Sequence, residues 1–204
     1  MVGIAGIPAS GKSTFSRLLT ARVNGILSDR NQGTSDAPAE ETLEHEQAIL
    51  VSLDGWHLTR DQLNDFPDPD EAHNRRGIHW TFDDAGYLAF LRRLRNINNT
   101  LTLTAPSFDH ALKDPVPDAV SIHPYHRLVI IEGLYVFLNI EPWQSAGRLL
   151  DERWFIEIDI QEARKRLVKR HMLTGVASNS IEADWRADEN DIPSTSVLLW
   201  LIVG

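Results

Sequence analysis

Short apolar runs alternate along this chain with longer stretches in which apolar residues recur every three or four positions. Continuous apolar runs are typical of buried strands, and the wider spacing is typical of helices that bury one face. The predicted strands are 2–5, 48–53, 101–104, 119–122, 127–131 and 154–160. The predicted helices are 15–23, 84–95 and 161–173, and Asn24 and Gly25 are expected to end the first of them. The alternation predicts an α/β fold with a mainly parallel sheet, in which ligands bind at the carboxyl ends of the strands.

The first predicted strand leads through a glycine-containing loop into the first predicted helix. Residues 6–14 read GIPASGKST, which is the pattern Gly-x-x-x-x-Gly-Lys-Ser of a phosphate-binding loop, the P-loop. Backbone N–H groups and the helix N-terminus favour a polyphosphate there, with Lys12 reaching the β- and γ-phosphates and Ser13 offering its hydroxyl to Mg²⁺. The alternative is a turn that matches the pattern by chance, and the order of strand, loop and helix argues against it. The residues expected to bind the nucleotide here are Gly6, Ala9, Ser10, Gly11, Lys12, Ser13 and Thr14.

Two acidic residues follow predicted strands, where this fold class places its ligands. Asp54 comes directly after 48–53, and its carboxylate is expected to meet Mg²⁺ through water or to take the proton of an attacking hydroxyl. Glu132 follows 127–131 and is expected to coordinate the metal or its water. The structural alternatives are a turn or N-cap aspartate, which Gly55 favours, and a glutamate that caps the next turn. His57 is a candidate for hydrogen bonding to a substrate, with a packed loop histidine as the alternative.

The length of 204 residues suits a single domain, 1–204, with three polar or charged segments beside its predicted core. Residues 27–46 predict a polar surface loop. Residues 58–82 predict an acceptor-side binding segment or lid, because they are too many for a plain connection. The third segment, 162–180, predicts a lid that begins with a helix.

That lid helix is strongly basic, although the chain as a whole is acidic. Arg166 and Arg170 lie four residues apart and share one face, which is the spacing for two guanidinium groups to bind one polyphosphate. Thr174 and Gly175 then break the helix, so a hinged lid is expected whose arginines neutralise transition-state charge and exclude water. A solvated basic face is the alternative, and it is the usual role of such charge runs.

The composition excludes several classes of protein. A formal net charge of −9 argues against a general binder of nucleic acids or anionic membranes, since both depend on a basic surface. The chain has no cysteine, which excludes disulfides, thiol catalysis and thiolate metal sites. No basic leader precedes the first strand, and the apolar run 197–203 is too short to span a bilayer, so a cytoplasmic location is expected. The absence of an Asn-Lys-x-Asp motif argues against a GTPase, and a homodimer is left open.

Seven blocks of the sequence follow one another in the order found in a known kinase family. They read GIPASGKST, SLDGWHLTRDQL, DPDEAHNRRGIHWTFD, APSFDHALKDPVPD, RLVIIEGLYVFL, IDIQEARKRLVKRHMLTG and WRADENDIP. Together they resemble the phosphoribulokinase/uridine kinase family of P-loop kinases, and above all its fungal and bacterial uridine-kinase-like ATPase branch. The chain departs from that family in starting on the first strand and in its sequence after Asp191, departures that a misassigned gene boundary at either end would explain.

The resemblance implies a P-loop NTPase of the nucleoside-monophosphate-kinase type, with three α/β/α layers, a mainly parallel sheet of five strands and a small lid. It implies ATP and Mg²⁺ as cofactors, Asp54 as general base or metal-organising carboxylate, and Arg166 and Arg170 as lid cations. It also places Asn190, within 185–191, near the adenine. The implied metal ligands are Ser13, Asp54 and Glu132. The implied acceptor site contains Asp54, His57, Arg76, Phe108, Asp109, His110 and Glu132.

The function favoured by these observations is ATP- and Mg²⁺-dependent phosphoryl transfer to a hydroxyl of a small polar metabolite. A nucleoside, a sugar and a pantothenate-like compound fit equally well as the acceptor. Asp54 would activate the hydroxyl, while Lys12, Mg²⁺ and the lid arginines would stabilise the transferring phosphoryl group. One alternative is an acceptor-independent ATPase or a regulatory ATP-binding protein. Another is an interaction protein with a vestigial P-loop, which the intact Asp54 and Glu132 argue against.

Overall fold

A computed structural model of the protein describes residues 1–32, 46–96, 101–173 and 177–188. The strands are β1 (Val2–Gly6), β2 (Ala48–Ser52), β3 (Leu103–Asp109), β4 (Asp114–Ile122), β5 (Leu128–Gly133) and β6 (Glu152–Ile156). The helices are α1 (Lys12–Gln32), α2 (Arg60–Asn64), α3 (Pro69–Asn74), α4 (Asp84–Asn96), α5 (Trp143–Gly147), α6 (Ile160–Leu173) and α7 (Ser180–Arg186). Short 3₁₀ turns lie at Leu53–Trp56, which we name the Asp54 turn, and at His79–Thr81. In this described part of the chain, no helix combines the length and the apolar character needed to cross a membrane.

The central sheet is parallel, and its strand order is β2-β5-β1-β6. β2 pairs with β5 in a register that sets Ser52 beside Glu132. β3 and β4 form a separate antiparallel hairpin, which runs from Leu103 to Ile122. The predicted α/β fold with a mainly parallel sheet is confirmed. The described residues supply four strands to that sheet, whereas five were expected.

Apolar side chains of β1, β5 and α4 form the core, and an aromatic cluster joins that core to the Asp54 turn. Ile4 and Ile130 on the two central strands are fully buried, as is Leu91 on α4. Trp56, the last residue of the Asp54 turn, lies 5.3 Å from the ring centre of Tyr87. Burial of large aromatic side chains is a major stabilising contribution, so the turn that carries Asp54 is anchored in the core. The rings of this cluster are Trp56, Phe82, Tyr87, Phe90, Tyr135 and Trp143.

The first helix is longer than the sequence predicted. α1 passes through Asn24 and Gly25 and ends at Gln32, so the expectation that these two residues end it is wrong. The side chain of Asn24 donates to the Ala48 carbonyl oxygen at 3.0 Å and accepts the Ala48 N–H at 2.7 Å. This asparagine therefore ties the helix to the start of β2. Of the predicted loop 27–46, residues 27–32 are helical, and 33–45 lie outside the described residues.

Several other boundaries differ from those predicted. The segment 58–82, which the sequence predicts to be an acceptor-side binding segment or lid, contains α2, α3 and the turn His79–Thr81. β6 ends at Ile156, short of the predicted 160, and Asp159 caps the next helix. Its Oδ1 accepts the N–H groups of Gln161 at 2.9 Å and Glu162 at 3.1 Å, which fixes the start of α6.

Candidate functional site

The P-loop leaves the carboxyl end of β1 and runs directly into α1, as the sequence predicts. Ala9 and Gly11 have positive φ angles of 59° and 91°, which turn the backbone tightly between strand and helix. The Ser10 N–H donates to the Ile7 carbonyl oxygen at 3.1 Å, and the Phe15 N–H donates to the Gly11 carbonyl oxygen at 2.9 Å. The N–H groups of the first helical turn have no acceptor within the helix. They and the helix dipole therefore favour an anion at this loop.

Two further features of the loop suit a polyphosphate. A Cβ added at Gly11 would meet no atom within 4 Å, so the space beside the loop is open there. Ser10 Oγ is buried and has no hydrogen-bond partner among the described residues, and a phosphate oxygen would provide one. A cavity of about 390 Å³ lies beside the loop, where β6 ends. Its lining residues are Ile7, Phe155, Glu157, Ile158 and Asp159.

Glu132 joins three elements at the carboxyl edge of the sheet. It lies on β5, is only 5% exposed, and accepts a hydrogen bond on each carboxylate oxygen. Ser13 Oγ, in the first turn of α1, donates to Oε2 at 3.0 Å. Ser52 Oγ, at the end of β2, donates to Oε1 at 2.9 Å. Ser13 and Glu132, both expected at a metal site, are in contact, and Ser52 is a member of the site that the sequence analysis missed.

Asp54 lies in the 3₁₀ turn that follows Ser52. The Asp54 N–H points to Ser52 Oγ at 3.4 Å, and Ser52 is the N-cap of the turn. On its other side the turn packs closely against the hairpin, because a Cβ at Gly55 would lie 2.3 Å from the Pro106 carbonyl oxygen. The turn is therefore held between the sheet edge and the hairpin. The predicted turn is present, and the catalytic role of Asp54 stays a prediction.

His57 directly follows the Asp54 turn, and the backbone determines its tautomer. His57 Nδ1 lies 2.8 Å from the Asp54 carbonyl oxygen, and because a carbonyl can only accept, Nδ1 carries the hydrogen. Burial lowers the pKa of His57 more than the nearby charge of Asp54 raises it. The ring centre lies 4.0 Å from that of Phe82 and 5.0 Å from that of Phe108. At neutral pH the ring is therefore uncharged, packed, and able to accept a hydrogen bond at Nε2.

Arg76, expected in the acceptor site, ties the segment 58–82 to the hairpin. Its Nη2 donates to Asp114 Oδ1 at 2.6 Å and to the Leu58 carbonyl oxygen at 2.7 Å. Its Nη1 donates to the Lys113 carbonyl oxygen. Asp114 was missed by the sequence analysis, since an Asp-Pro pair gives no sign of a distant arginine. These contacts give Arg76 a structural role, and its contact with an acceptor stays a prediction.

The ring of Phe108 packs against His57, Arg76 and His110. Its ring centre lies 5.0 Å from that of His57 and 5.3 Å from that of His110, and the Arg76 guanidinium carbon lies 5.5 Å from it. His57, Arg76 and His110 therefore lie around the Phe108 ring. Their contact with a bound acceptor stays a prediction.

Asp109, also expected in the acceptor site, holds the tip of the hairpin. Its Oδ1 accepts the N–H groups of Ala111 at 2.7 Å and Leu112 at 3.0 Å. These two hydrogen bonds, chiefly that from Leu112, lower the pKa of Asp109. A side chain that accepts from two amides of its own turn has a sufficient structural reason to be an aspartate.

The two predicted lid arginines lie on the exposed side of α6. Arg166 Nε donates to Glu162 Oε1 at 2.9 Å, and its side chain is 51% exposed. Arg170, one turn later, is also exposed. The helix break predicted at Thr174 and Gly175 lies outside the described residues, as does Asn190. The lid and its role in catalysis stay predictions.

A third arginine, Arg164, joins α6 to α7. It contacts Asp184 Oδ1 at 2.8 Å through Nη2, and its Nε and Nη2 donate to the two oxygens of Asp188 at 2.7 and 2.8 Å. The two carboxylates, Asp188 first, raise the pKa of Arg164 above its ordinary value. The sequence analysis did not separate this arginine from its neighbours, because all of them lie in one basic run.

The side chains around Glu132 fit Mg²⁺. Carboxylate and hydroxyl oxygens are the ligands that Mg²⁺ prefers, and Ser13 keeps its oxygen lone pairs because its hydrogen is donated to Glu132. Among the described residues, no group of three or more His, Asp or Glu could hold a metal ion. The Glu132 carboxylate and the Ser13 hydroxyl suit an ion that is held by one or two side chains, by water and by the phosphates of a nucleotide.

The similar proteins found by comparison carry kinase names. No family model matches the sequence. The ATP-dependent kinase-like protein notR' of Aspergillus versicolor is 49% identical over 141 residues, which cover 68% of this chain and 82% of that protein. A Schizosaccharomyces pombe protein, provisionally named uridine kinase C227.14, is 34% identical over 192 residues, which cover 94% of this chain and 74% of that protein.

A solved structure extends this similarity to the fold. The provisionally named fructose transport system kinase from Silicibacter sp. TM1040 superimposes with a TM-score of 0.78 at 27% identity, covering 98% of this chain and 84% of that one. The P-loop, the Glu132 contacts and these similarities lead to one conclusion: the chain belongs to the uridine-kinase-like family of P-loop kinases.

Proposed function

We propose that this protein transfers the γ-phosphoryl group of ATP to a hydroxyl of a small polar metabolite. The observation that carries the proposal is the contact of Ser13 and Ser52 with the same buried carboxylate, Glu132. Through this contact the phosphate-binding loop lies beside the turn that bears Asp54. Membership of a kinase family supports the same reaction.

The P-loop and its neighbours would hold the nucleotide. The N–H groups of the first turn of α1 and Lys12 would bind the phosphates, and Ser13 and Glu132 would hold Mg²⁺ directly or through water. When bound, Mg²⁺ would neutralise negative charge on the β- and γ-phosphates. The uncharged part of the nucleotide would extend toward the 390 Å³ cavity beside Ile7.

In the transfer step, Asp54 takes the proton of the acceptor hydroxyl as that oxygen bonds to the γ-phosphorus. The bond between the γ-phosphorus and the bridging oxygen of the β-phosphate breaks, and ADP leaves with the bonding electrons. Lys12, Arg166 and Arg170 stabilise the negative charge of the transferring group. The proton on Asp54 then passes to solvent, which restores the carboxylate.

His57 and Arg76 on the acceptor side would recognise the substrate. His57 Nε2 can accept a hydrogen bond from an acceptor hydroxyl or N–H. Arg76 Nε is buried and has no hydrogen-bond partner in the described part of the chain, and an acceptor oxygen would supply one. With Phe108 as an apolar wall, these groups suit a nucleoside, a sugar or a pantothenate-like acceptor. The cytoplasmic location stays a prediction from the sequence, and the homodimer stays an open alternative.

The test is a coupled assay of ADP release with Mg·ATP across a panel of nucleosides, sugars, glycerate and pantothenate. Acceleration by one compound, together with isolation of its phosphorylated product, would establish the kinase and identify its substrate. Lys12→Ala serves as the blank because it removes the cation that binds the phosphates. Asp54→Asn should abolish transfer while it leaves ATP binding nearly intact, since the amide cannot take the proton.

One outcome would argue against the proposed function, and another only against the role of Asp54. ADP release that is slow and indifferent to every acceptor would favour an acceptor-independent ATPase. Transfer at an undiminished rate in Asp54→Asn would remove the proposed role of that carboxylate while leaving the kinase activity in place.

A further inference from the structure

Ser52 is a partner of Glu132 to which the sequence analysis assigned no role. It is the last residue of β2, and the β2–β5 register pairs it with Glu132 on the neighbouring strand. Side chains of paired residues on adjacent strands point to the same face of a sheet. The hydrogen bond of 2.9 Å from Ser52 Oγ to Glu132 Oε1 is therefore built into the strand pairing.

The buried carboxylate of Glu132 needs this donor. At 5% exposure, a carboxylate without hydrogen bonds would carry a large desolvation cost. One hydroxyl reaches each oxygen, Ser13 at Oε2 and Ser52 at Oε1, so the plane of the carboxylate is fixed from both ends. Removal of Ser52 would leave Oε1 without that donor and let the carboxylate turn away from Ser13.

The orientation of Glu132 in turn orients Ser13. A serine hydroxyl has a single hydrogen, and Ser13 donates it to Glu132, so its lone pairs are directed away from that carboxylate. A cation at Ser13 requires this arrangement, because only the lone pairs can bind a metal. Ser52 also accepts the Asp54 N–H at 3.4 Å, which links the same hydroxyl to the Asp54 turn.

We propose that Ser52 is a positioning residue that presets Ser13, Glu132 and the Asp54 turn for a Mg²⁺-bound nucleotide. The inference deepens the proposed function and rests on it, since it concerns the same P-loop site. Its direct consequence is on Mg²⁺-dependent nucleotide binding, which can be measured without any acceptor and without turnover.

The experiment measures binding of a non-hydrolysable ATP analogue by calorimetry, with a Mg²⁺ titration and with EDTA, in the full chain. Loss of a residue that orients a metal ligand typically weakens metal affinity by about 10- to 100-fold. We expect Ser52→Ala to raise the Mg²⁺ concentration for half-maximal binding by that factor and to leave binding in EDTA unchanged. Ser52→Thr keeps the hydroxyl and should restore the wild-type Mg²⁺ requirement.

Ser16→Ala is the matched control. Ser16 is also a buried serine near the P-loop, but its Oγ has no hydrogen-bond partner among the described residues. Its removal should leave the Mg²⁺ requirement unchanged. Circular dichroism and a thermal melt confirm that each variant is folded.

The inference is overturned if folded Ser52→Ala has the Mg²⁺ requirement of the wild type, or if its binding falls equally with Mg²⁺ and with EDTA. A wild-type protein that binds no nucleotide would overturn both the inference and the proposed function. Mg²⁺-dependent binding that Ser52→Ala weakens, in a protein that phosphorylates no acceptor, would support the inference and reject the proposed kinase.

Discussion

Arg76 and Asp114 form an ion pair between two segments that lie 38 residues apart, with Nη2 at 2.6 Å from Oδ1. Arg76 precedes Gly77 in the acceptor-side segment, and Asp114 is the first residue of β4. The same guanidinium group donates to the carbonyl oxygens of Leu58 and Lys113. One side chain therefore connects the segment 58–82 to the hairpin, and both contribute residues to the candidate acceptor site.

Replacement of Arg76 by lysine is expected to destabilise the protein by about 2 kcal/mol, because an ammonium group cannot reproduce the planar fork that reaches three acceptors. The exposed fractions of the two side chains, 15% and 31%, keep the loss below that of a fully buried pair. Urea unfolding measures the difference. Arg93→Lys, on the exposed face of α4, is the control and should lie within about 0.5 kcal/mol of the wild type. Equal losses of unfolding free energy in the two variants would contradict the connection that Arg76 makes between the segment 58–82 and the hairpin.

The elements of the fold could be predicted wherever the signal is local. The P-loop is a contiguous motif, and the buried strand before Glu132 is a continuous apolar run, so both are readable from neighbouring residues. Asn24 shows the limit: its local propensity indicates a helix end, but two hydrogen bonds to Ala48 keep it inside α1. Ala48 is 24 residues away from Asn24, and no pattern in the residues around Asn24 indicates this contact.

The candidate site could be predicted in part for the same reason. Lys12, Ser13, Asp54 and Glu132 follow strand ends or belong to a motif, and the carboxyl edge of a parallel sheet brings such positions together. Ser52 could not be found, because its bond to Glu132 spans 80 residues and depends on the β2–β5 register. A shift of one residue in that register would point the two side chains to opposite faces.

Gly55→Ala is expected to destabilise the protein by about 2 kcal/mol, because the added methyl would lie 2.3 Å from the Pro106 carbonyl oxygen and push the Asp54 turn away from the hairpin. Thermal unfolding measures the loss. Gly25→Ala is the matched control, since a Cβ there meets no atom within 4 Å and alanine favours the helix. A Gly55→Ala protein as stable as Gly25→Ala would show that the turn and the hairpin do not pack as described.

Substitutions of Arg166 and Arg164 should have different effects, the first on catalysis and the second on the structure of the predicted lid. Arg166→Ala is expected to lower kcat by about 10²-fold with little change in stability, because it removes a proposed transition-state cation whose pair with Glu162 is exposed. Arg164→Ala removes the contacts with Asp184 and Asp188 and should increase hydrogen exchange in α7. Steady-state kinetics and exchange mass spectrometry measure the two effects. An unchanged kcat in Arg166→Ala would remove that arginine from the proposed mechanism.

The lowered pKa of His57 predicts that the protein loses stability when the pH falls moderately below neutral. Burial lowers its pKa below the ordinary value of 6.5, so between the folded-state pKa and 6.5 the unfolded chain binds a proton that the folded protein does not. His57 protonation therefore has no effect on the free energy of unfolding above this pH window, and the free energy of unfolding decreases as the pH falls through it. Burial lowers the pKa of His79 as well, so removal of His57 alone should flatten the decrease without abolishing it.

His57→Asn tests this, because an asparagine amide can still donate to the Asp54 carbonyl oxygen but does not titrate. We expect the midpoint of thermal unfolding to fall less steeply in the variant than in the wild type between about pH 7 and pH 5.5. The slope is the relevant quantity, since loss of the ring contacts with Phe82 and Phe108 lowers the stability of the variant at every pH. Parallel curves would show that His57 is protonated in the folded protein as readily as in the unfolded chain, which would contradict the lowered pKa.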